Sequence, residues 1–152
     1  MGQAKTVITN RQASRDYYIE KAYEAGLELQ GSEVKSLRNG KANLKGSFAK
    51  FENGELFLYS MHISPYEYSQ EEYDPLRRRK LLLHKAEIKH LVVKLLQQGH
   101  TLVPLKVYFK RGYAKVEIAL ARGKKFHDKR RSLKEKQANK EIDRAIRHAE
   151  KQ

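Results

Sequence analysis

The first strong pattern in the chain is an alternation of apolar and polar side chains that begins at Asp16. Six apolar residues share one parity, which is broken only by Lys21: Tyr17, Ile19, Tyr23, Ala25, Leu27 and Leu29. A period of two is typical of a strand with one buried face. Gly26 within this strand predicts a bend or a bulge, as barrel strands need.

A short helix is predicted directly after this strand, over residues 33–39. Ser32 is a suitable N-cap and Gly40 is a suitable end, and Val34 and Leu37 would face the core. The other side chains would point outward, either as a solvated face or as a small polar platform: Glu33, Lys35, Ser36 and Arg38.

Asn53-Gly54 lies between two β-prone runs, 48–51 and 55–59. Asn-Gly is the strongest short hairpin signal, because both turn residues must tolerate positive φ. The sequence therefore predicts a tight β-hairpin here.

A second hairpin is predicted near the end of the apolar part of the chain. Its strands would span 102–109 and 113–120, and residues 110–112 would form the turn. Proline cannot donate a hydrogen bond to a neighbouring strand, so Pro104 would need an edge or strand-start position.

The clearest helical pattern covers residues 84–98. Its apolar residues recur at spacings of three and four: Ile88, Leu91, Val92, Leu95 and Leu96. Gly99 would end this helix. Ahead of it, Pro75 can open a helical turn that leads into the basic run 77–80.

The predicted order is strand, short helix, hairpin, basic loop, helix, hairpin and tail. Strands paired through local hairpins favour an antiparallel sheet. Five or six of them in a short basic chain predict a mainly β fold, an OB-like antiparallel β-barrel with about three helices, a class that recurs among nucleic-acid-binding proteins. We expect a flexible segment over 1–15, the barrel over 16–125 and a basic tail over 126–152.

The chain has 152 residues and a formal net charge of +14, and it contains no cysteine. Such a basic balance indicates a nucleic-acid partner or, second, an anionic membrane surface. The absence of cysteine excludes a disulfide framework and a thiolate zinc site. With no apolar run of signal-peptide or membrane-span length, a cytoplasmic protein is expected, and the myristoylation pattern at Gly2 is weak.

The excess charge is concentrated at the end of the chain, where residues 122–152 hold twelve Lys/Arg against five Asp/Glu. A helix here would have a thin apolar stripe: Ala138, Ile142, Ala145, Ile146 and Ala149. Such a stripe does not stabilise an isolated helix. The tail is therefore either permanently disordered or becomes helical inside an anionic groove, and its charge favours the groove.

Candidate catalytic chemistry is sparse. The six histidines have no zinc-helix spacing, and no phosphate-binding glycine-rich loop is present. Glu71, Glu72 and Asp74 form the only dense acidic cluster, and a metal-dependent ribonuclease using them is one alternative function. A structural ribosomal protein with a basic extension is another. Several tyrosines could stack on bases or pack in the core: Tyr17, Tyr18, Tyr23, Tyr66, Tyr68, Tyr108 and Tyr113.

The segments 23–26 (YEAG) and 31–38 (GSEVKSLR) together resemble the opening signature of the SsrA-binding protein (small protein B) family. Further segments agree in order along the chain: GKAN at 40–43, HISPY at 62–66, DP at 74–75, RRRKLLLHK at 77–85, ARGKK at 121–125 and DKR at 128–130. The joint occurrence of EVKSLR and RKLLLHK is highly specific, so the chain is identified as a member of this family.

The resemblance implies a bacterial, cytoplasmic, non-enzymatic RNA-binding factor with an OB-like barrel and flanking helices. Members bind the tRNA-like domain of transfer-messenger RNA (tmRNA, SsrA RNA) and accompany it, with elongation factor Tu, to stalled ribosomes for trans-translation. The tail would enter the empty mRNA channel near the decoding centre of 16S rRNA and become helical there. The resemblance implies a monomer with no cofactor, no metal, no catalytic residue and no membrane partner.

Carried over by position, the resemblance gives an RNA-binding set: Asn10, Glu24, Lys35, Arg38, Lys41, Leu82, His84, Lys85, Gly123, Lys124 and Lys125. It also gives a set of tail residues that would contact the ribosome: His127, Asp128, Lys129, Arg130, Ile142 and Ile146. The distal tail departs from the family pattern. Many relatives have a tryptophan near Ala138, whereas this chain has none, and Ala145-Ile146 replaces a larger apolar pair.

Overall fold

The computed structural model describes residues 5–67, 74–97 and 99–124, which form nine strands and three helices. In chain order these are β1 (Lys5–Thr9), α1 (Ala13–Asp16), β2 (Tyr17–Leu27), α2 (Gly31–Arg38), β3 (Ala42–Asn43), β4 (Phe48–Glu52), β5 (Glu55–Tyr59), β6 (His62–Ile63), β7 (Arg79–Leu82), α3 (Lys85–Leu95), β8 (His100–Lys110) and β9 (Tyr113–Gly123).

Six strands form a closed ring of antiparallel pairs in the order β8, β4, β5, β7, β2, β9 and back to β8. Strand β1 adds to β8, and β3 pairs separately with β6. The ring encloses a single large cluster of buried side chains contributed by strands and by α2 and α3. This arrangement confirms the predicted mainly β fold with three helices and an OB-like, barrel-like sheet.

The N-terminal segment differs from the expectation of a flexible 1–15. Residues 5–9 pair with β8, and Asn10 donates its backbone N–H to the carbonyl of Leu105 at 2.7 Å. Ala13 in α1 is only 2% exposed, in a small cluster with residues of β8 and β9. The sequence signal was weak because β1 is short and polar, and because its stabilising partner lies about a hundred residues later.

Strand β2 follows its predicted alternation from Tyr23 onward, where Tyr23, Ala25 and Leu27 are buried, whereas Ile19, predicted on the same face, is 39% exposed. Its irregularity lies between Ile19 and Lys21, where the register to β9 shifts, and not at Gly26 as predicted. Gly26 instead permits a close approach, since a Cβ atom there would lie 3.2 Å from Cβ of Leu82 in β7.

Helix α2 begins earlier than predicted, and its N-cap is Gln30, not Ser32. Gln30 and Glu33 form a reciprocal capping box, in which the Gln30 backbone N–H donates to Glu33 Oε1 at 3.0 Å. The predicted outward orientation of Glu33 and Ser36 is wrong, because both are fully buried.

Both hairpins are confirmed. The first has Asn53 and Gly54 at φ of 53° and 80°, as a two-residue turn of this type requires. Pro104 is buried within β8 and does not lie at an edge, so that expectation is wrong. The register to β9 shifts directly after Pro104, between Pro104 and Lys106.

The basic run before α3 contains a strand that the pattern did not predict. A turn closed by the Arg77 N–H and the Asp74 carbonyl at 3.0 Å replaces the expected helical turn at Pro75. Strand β7 then inserts between β5 and β2, with Arg79 fully buried. An arginine in the core hides the alternation that would otherwise indicate a strand.

Candidate nucleic-acid interface

A buried ion network fixes the basic run against α2. The carboxylate of Glu33 accepts hydrogen bonds from Arg77 Nε at 3.0 Å, from Arg79 Nε at 3.0 Å and from Arg79 Nη2 at 2.5 Å. Arg79 also donates to the carbonyls of Met61 and Pro75, at 2.5 and 3.1 Å. Glu33 and Arg79 are each 0% exposed, so this network is structural and orients the segment that leads to Leu82 and His84.

Burial acts to raise the pKa of Glu33, but the hydrogen bonds from Arg77, from the Gln30 backbone and from Arg79 outweigh it. The pKa of Glu33 therefore lies below its ordinary value, and the carboxylate is charged in the folded protein at neutral pH.

The outer side of the ring carries a cleft that we call the Glu24 surface. Its lining residues come from β2, β7, β9 and the start of α3: Glu24, Gly26, Leu82, Leu83, His84, Glu87 and Lys115. Strand register explains the grouping, because Gly26 pairs with both Leu82 and Lys115. Leu82 is 48% exposed, so about half of this apolar side chain is accessible to a partner.

Glu24 is held as a charged acceptor in this cleft. The Tyr108 hydroxyl donates to Glu24 Oε2, and Lys110 Nζ lies 3.5 Å from the same oxygen. The hydrogen bond from Tyr108 is the main cause of the lowered pKa of Glu24, and burial together with Glu24 raises the pKa of Tyr108. A fixed carboxylate can accept a hydrogen bond from a base amino group or a ribose 2′-hydroxyl.

His84 and Lys85 mark the start of α3. His84 is the exposed N-cap, and its backbone N–H donates to Glu87 Oε1 at 3.3 Å. Lys85 is the first residue of the helix and is also exposed. Leu82 and His84 therefore line the Glu24 surface, and the exposed Lys85 follows His84 in the chain.

Three predicted cations lie on or just after α2. Lys35 Nζ lies 5.4 Å from the centre of the Tyr66 ring, and Arg38 Cζ lies 4.5 Å from the centre of the Phe109 ring. Lys41 follows the helix and is exposed. Aromatic faces thus position two of the three cations while leaving them accessible to solvent.

Gly123 and Lys124 end β9 beside α1. The Lys124 backbone N–H donates to the Asp16 carbonyl at 2.9 Å, its Nζ donates to the Ser14 carbonyl at 3.0 Å, and its Nζ lies 5.0 Å from the Tyr18 ring centre. Lys124 is therefore anchored in part to the N-terminal segment.

Asn10 has a similar anchoring role, since its Nδ2 donates to the Pro104 carbonyl at 2.9 Å. The remaining predicted residues lie outside the described part of the chain: Lys125, His127, Asp128, Lys129, Arg130, Ile142 and Ile146.

The structure thus brings Glu24, Leu82 and His84 into one cleft, and it places Asn10 and Lys124 against the N-terminal segment and Lys35 and Arg38 on α2. The sequence did not identify Tyr108, Lys110 and Lys115 as neighbours of Glu24. Their parity on the second hairpin could have placed them on an outer face, but only the pairing of β9 with β2 brings that face to Glu24.

The described residues provide no metal site for the alternative function, a metal-dependent ribonuclease that would use Glu71, Glu72 and Asp74. Asp74 Oδ1 accepts from the Leu76 backbone N–H at 2.9 Å, and Glu71 and Glu72 lie outside the described ranges. Across 5–67, 74–97 and 99–124, no group of three or more His, Asp or Glu side chains is placed to hold a metal ion. Over the same residues, no helix is both long and apolar enough to cross a membrane.

Comparison with known proteins gives consistent matches over nearly the whole chain. A family model described as SmpB protein matches residues 7–148. An SsrA-binding protein of Geobacillus thermodenitrificans is 56% identical over 151 residues, covering 99% of this chain and 97% of that protein. One of Bacillus pumilus is 55% identical over 152 residues, with 99% and 97% covered. Among solved structures, a chain of "tmRNA-SmpB: a journey to the center of the bacterial ribosome" is 51% identical, with a TM-score of 0.66 and 93% and 95% covered.

Proposed function

Because the chain belongs to the SmpB protein family, we propose that it binds the tRNA-like domain of tmRNA and delivers this RNA to stalled ribosomes in trans-translation. The observation that carries the proposal is the 51% identity, over 93% of this chain, to a chain of the tmRNA–SmpB structure. The protein acts as a binding factor that changes no covalent bond.

The Glu24 surface supplies the interactions that such a role needs. The carboxylate of Glu24 accepts hydrogen bonds from amino or hydroxyl groups of the RNA, and the exposed Leu82 packs against a base or a ribose. His84 and Lys85 follow Leu82 in the chain. Folded RNA is recognised by contacts to unpaired bases and 2′-hydroxyls more than by groove readout. This combination favours a structured RNA over uniform duplex.

Cations elsewhere on the described surface supply affinity without sequence preference. Lys35, Arg38 and Lys41 are exposed near α2, and Lys124 lies at the end of β9. Phosphate contacts position a protein on its nucleic acid, whereas contacts to bases give specificity.

On the ribosome, the tail takes the place of mRNA in the empty channel. His127 to Arg130 contact 16S rRNA at the decoding centre, and Ile142 and Ile146 belong to the helix formed in the channel. The net charge of 122–152, twelve Lys/Arg against five Asp/Glu, suits a channel lined by RNA. The protein is a cytoplasmic monomer, and elongation factor Tu joins the complex through the aminoacylated tmRNA.

Capture of RNA from a bacterial lysate by the purified full-length protein, at moderate salt, tests the proposed function. We expect tmRNA to dominate the sequenced RNA relative to its abundance. Uniform recovery of ribosomal RNA would instead indicate a structural ribosomal protein. In a parallel incubation with labelled tmRNA and magnesium, we expect no cleavage, whereas protein-dependent cleavage would indicate a ribonuclease.

The double variant Lys124→Ala/Lys125→Ala is expected to bind tmRNA more weakly and with a flatter salt dependence. Each phosphate that is no longer neutralised should reduce the log–log slope of affinity against salt by about 0.7–0.9. Gel-shift titrations at several salt concentrations measure the slope. The matched control is Lys89→Ala/Lys94→Ala on α3, which removes the same charge elsewhere and should leave the slope closer to that of the wild type. Equal slopes for all three proteins would place the two lysines away from the RNA.

A further inference from the structure

The outer face of β4, β5 and β7 carries three aromatic side chains that the proposed function does not use. Phe48 pairs directly with Tyr59, and Lys50 pairs with Phe57, which in turn pairs with Lys80 of β7. Directly paired residues lie on the same face of a sheet. The neighbouring residues Ala49, Leu56 and Leu58 have the opposite parity and are buried in the core. We call the outer set Phe48, Lys50, Phe57, Tyr59, Arg78 and Lys80 the aromatic platform.

Two of the three aromatic rings are stacked on each other. The rings of Phe48 and Tyr59 are nearly parallel, with an interplanar angle of 11° and centroids 5.5 Å apart. Such a cross-strand pair stabilises a sheet in its own right. However, Phe48 is still 38% exposed, so the stack reaches the solvent. An exposed, pre-stacked ring is a surface on which a nucleobase can continue the stack.

A guanidinium extends this surface. Arg78 Cζ lies 4.1 Å from the centre of the Phe57 ring, and Arg78 Nη1 donates to Glu52, which also accepts from the Tyr59 hydroxyl. Glu52 thus ties Arg78 and Tyr59 into fixed positions. Arginine planes, like aromatic rings, stack on unpaired bases.

The charges of the face contribute little to binding a polyanion. Within the platform Lys50 is exposed, and Lys80 Nζ lies 3.1 Å from Glu55 Oε1. Three cations against two carboxylates give only a small positive excess, so stacking is the main source of affinity here and phosphate contacts add to it.

The platform is continuous with the Glu24 surface. Strand β7 carries Lys80 and Leu82 on the same outer side, since the intervening Leu81 is buried. Leu82 lines the Glu24 surface, and Lys80 pairs with Phe57 of the platform. An RNA held at Leu82 can therefore extend an unpaired strand across β5 and β4 without leaving the outer face.

We propose that the aromatic platform is a second RNA-binding surface, which takes single-stranded RNA by stacking bases on Phe48 and on the Arg78–Phe57 pair. The inference goes beyond the proposed function, because its ligand is unpaired RNA of any sequence, whereas the Glu24 surface takes a folded RNA. Both surfaces would be occupied together when a bound RNA has an unpaired segment near Leu82.

Phe48→Trp in the full-length protein tests the proposal directly, because the chain has no tryptophan and the new side chain is the only such fluorophore. Titration with an eight-nucleotide oligoadenylate at low salt should quench and shift its emission. The matched reporter is Leu96→Trp at the C-cap of α3, where Leu96 is 82% exposed on an element that contributes no residue to the platform. Its emission should stay unchanged. Equal quenching of both reporters would show non-specific electrostatic attraction and overturn the proposal.

Phe48→Leu should weaken oligoadenylate binding by about 5- to 150-fold, the loss expected for one stacked base. Lys50→Gln should retain most of the affinity and reduce its salt dependence. Unchanged oligoadenylate affinity in Phe48→Leu would overturn the proposal. Binding of tmRNA, measured on the same preparations, separates the two hypotheses. Failure of the wild type to bind tmRNA would contradict the proposed function only. Failure of the platform to bind oligoadenylate would contradict the further inference only.

Discussion

Arg79→Met is expected to lower the free energy of unfolding by about 3–5 kcal/mol, the usual cost of breaking a buried ion pair from one side. Arg79 is 0% exposed and donates to Glu33, Met61 and Pro75. Methionine matches the aliphatic part of arginine, but it leaves the Glu33 carboxylate with fewer donors and removes one donor from each of the Met61 and Pro75 carbonyls. The Pro75 carbonyl still accepts from the Ile63 N–H at 3.0 Å. Urea unfolding followed by circular dichroism measures the change. Since domains of this size are stable by about 5–15 kcal/mol, the variant should still fold at low temperature.

The adjacent residue provides the control. Arg78→Met removes the same charge one position earlier, where the side chain is 49% exposed and pairs with Glu52. An exposed pair of this kind contributes about 0–1 kcal/mol. Destabilisation of the two variants by the same amount would mean that the Glu33–Arg79 network adds nothing beyond an exposed ion pair.

Acid unfolding gives a second readout of the same network. The pKa of Glu33 is held below its ordinary value of 4.5, so its contribution to stability is fully present above about pH 4.5 and is lost as the pH falls through the lower pKa of the folded state. Glu33→Gln cannot titrate at this position. The difference in unfolding free energy between wild type and Glu33→Gln should therefore shrink below about pH 4.5, and a constant difference would contradict the assignment.

The regular elements could be predicted because their signals are local. Alternation identified β2, Asn53-Gly54 identified the β4–β5 hairpin, and spacing of three and four identified α3. These signals depend on residues within one strand, turn or helix. The exposure of Lys35 and Arg38 also followed from the pattern of one short helix.

The errors concern residues whose partners are distant in the chain. Glu33 was expected outward as an ordinary polar helix residue, but its partners Arg77 and Arg79 lie 44 and 46 positions later. A carboxylate is buried only when paired, and no local pattern indicates a pairing at that separation. The position of Pro104 inside β8 also depends on distant residues, since its partner in β9 is Ile118.

In the candidate site, too, local patterns predicted single residues, whereas contacts between distant parts of the chain were not predicted. Alternation along β2 places Glu24 on the outer face, opposite in parity to the buried Tyr23 and Ala25. Its neighbours Tyr108 and Lys110 come from β8, 84 and 86 positions away, and only the closed order of strands brings them together. The chemical character of the site therefore depends on topology, whereas its individual residues were identified by resemblance to a family.

A chain truncated after Phe126 is expected to retain binding to tmRNA and to lose tagging on stalled ribosomes completely. Among the described residues, the buried clusters lie entirely between Ala13 and Ala121, so the truncation removes none of them. The Glu24 surface is likewise complete within the shortened chain. The removed segment is basic, so the truncated chain should bind more weakly at high salt and recover its affinity at low salt.

Two assays on the same preparation decide whether the tail acts separately from RNA binding. Gel shifts with tmRNA should show a complex for both lengths of chain, and a reconstituted translation reaction on truncated mRNA should give tagged product only with the full chain. Excess truncated protein should also inhibit tagging by the wild type, because it occupies tmRNA without completing the reaction. A parallel decline of RNA binding and tagging would show that the tail is part of the RNA-binding unit, and tagging by the truncated chain would show that the ribosome recognises the barrel alone.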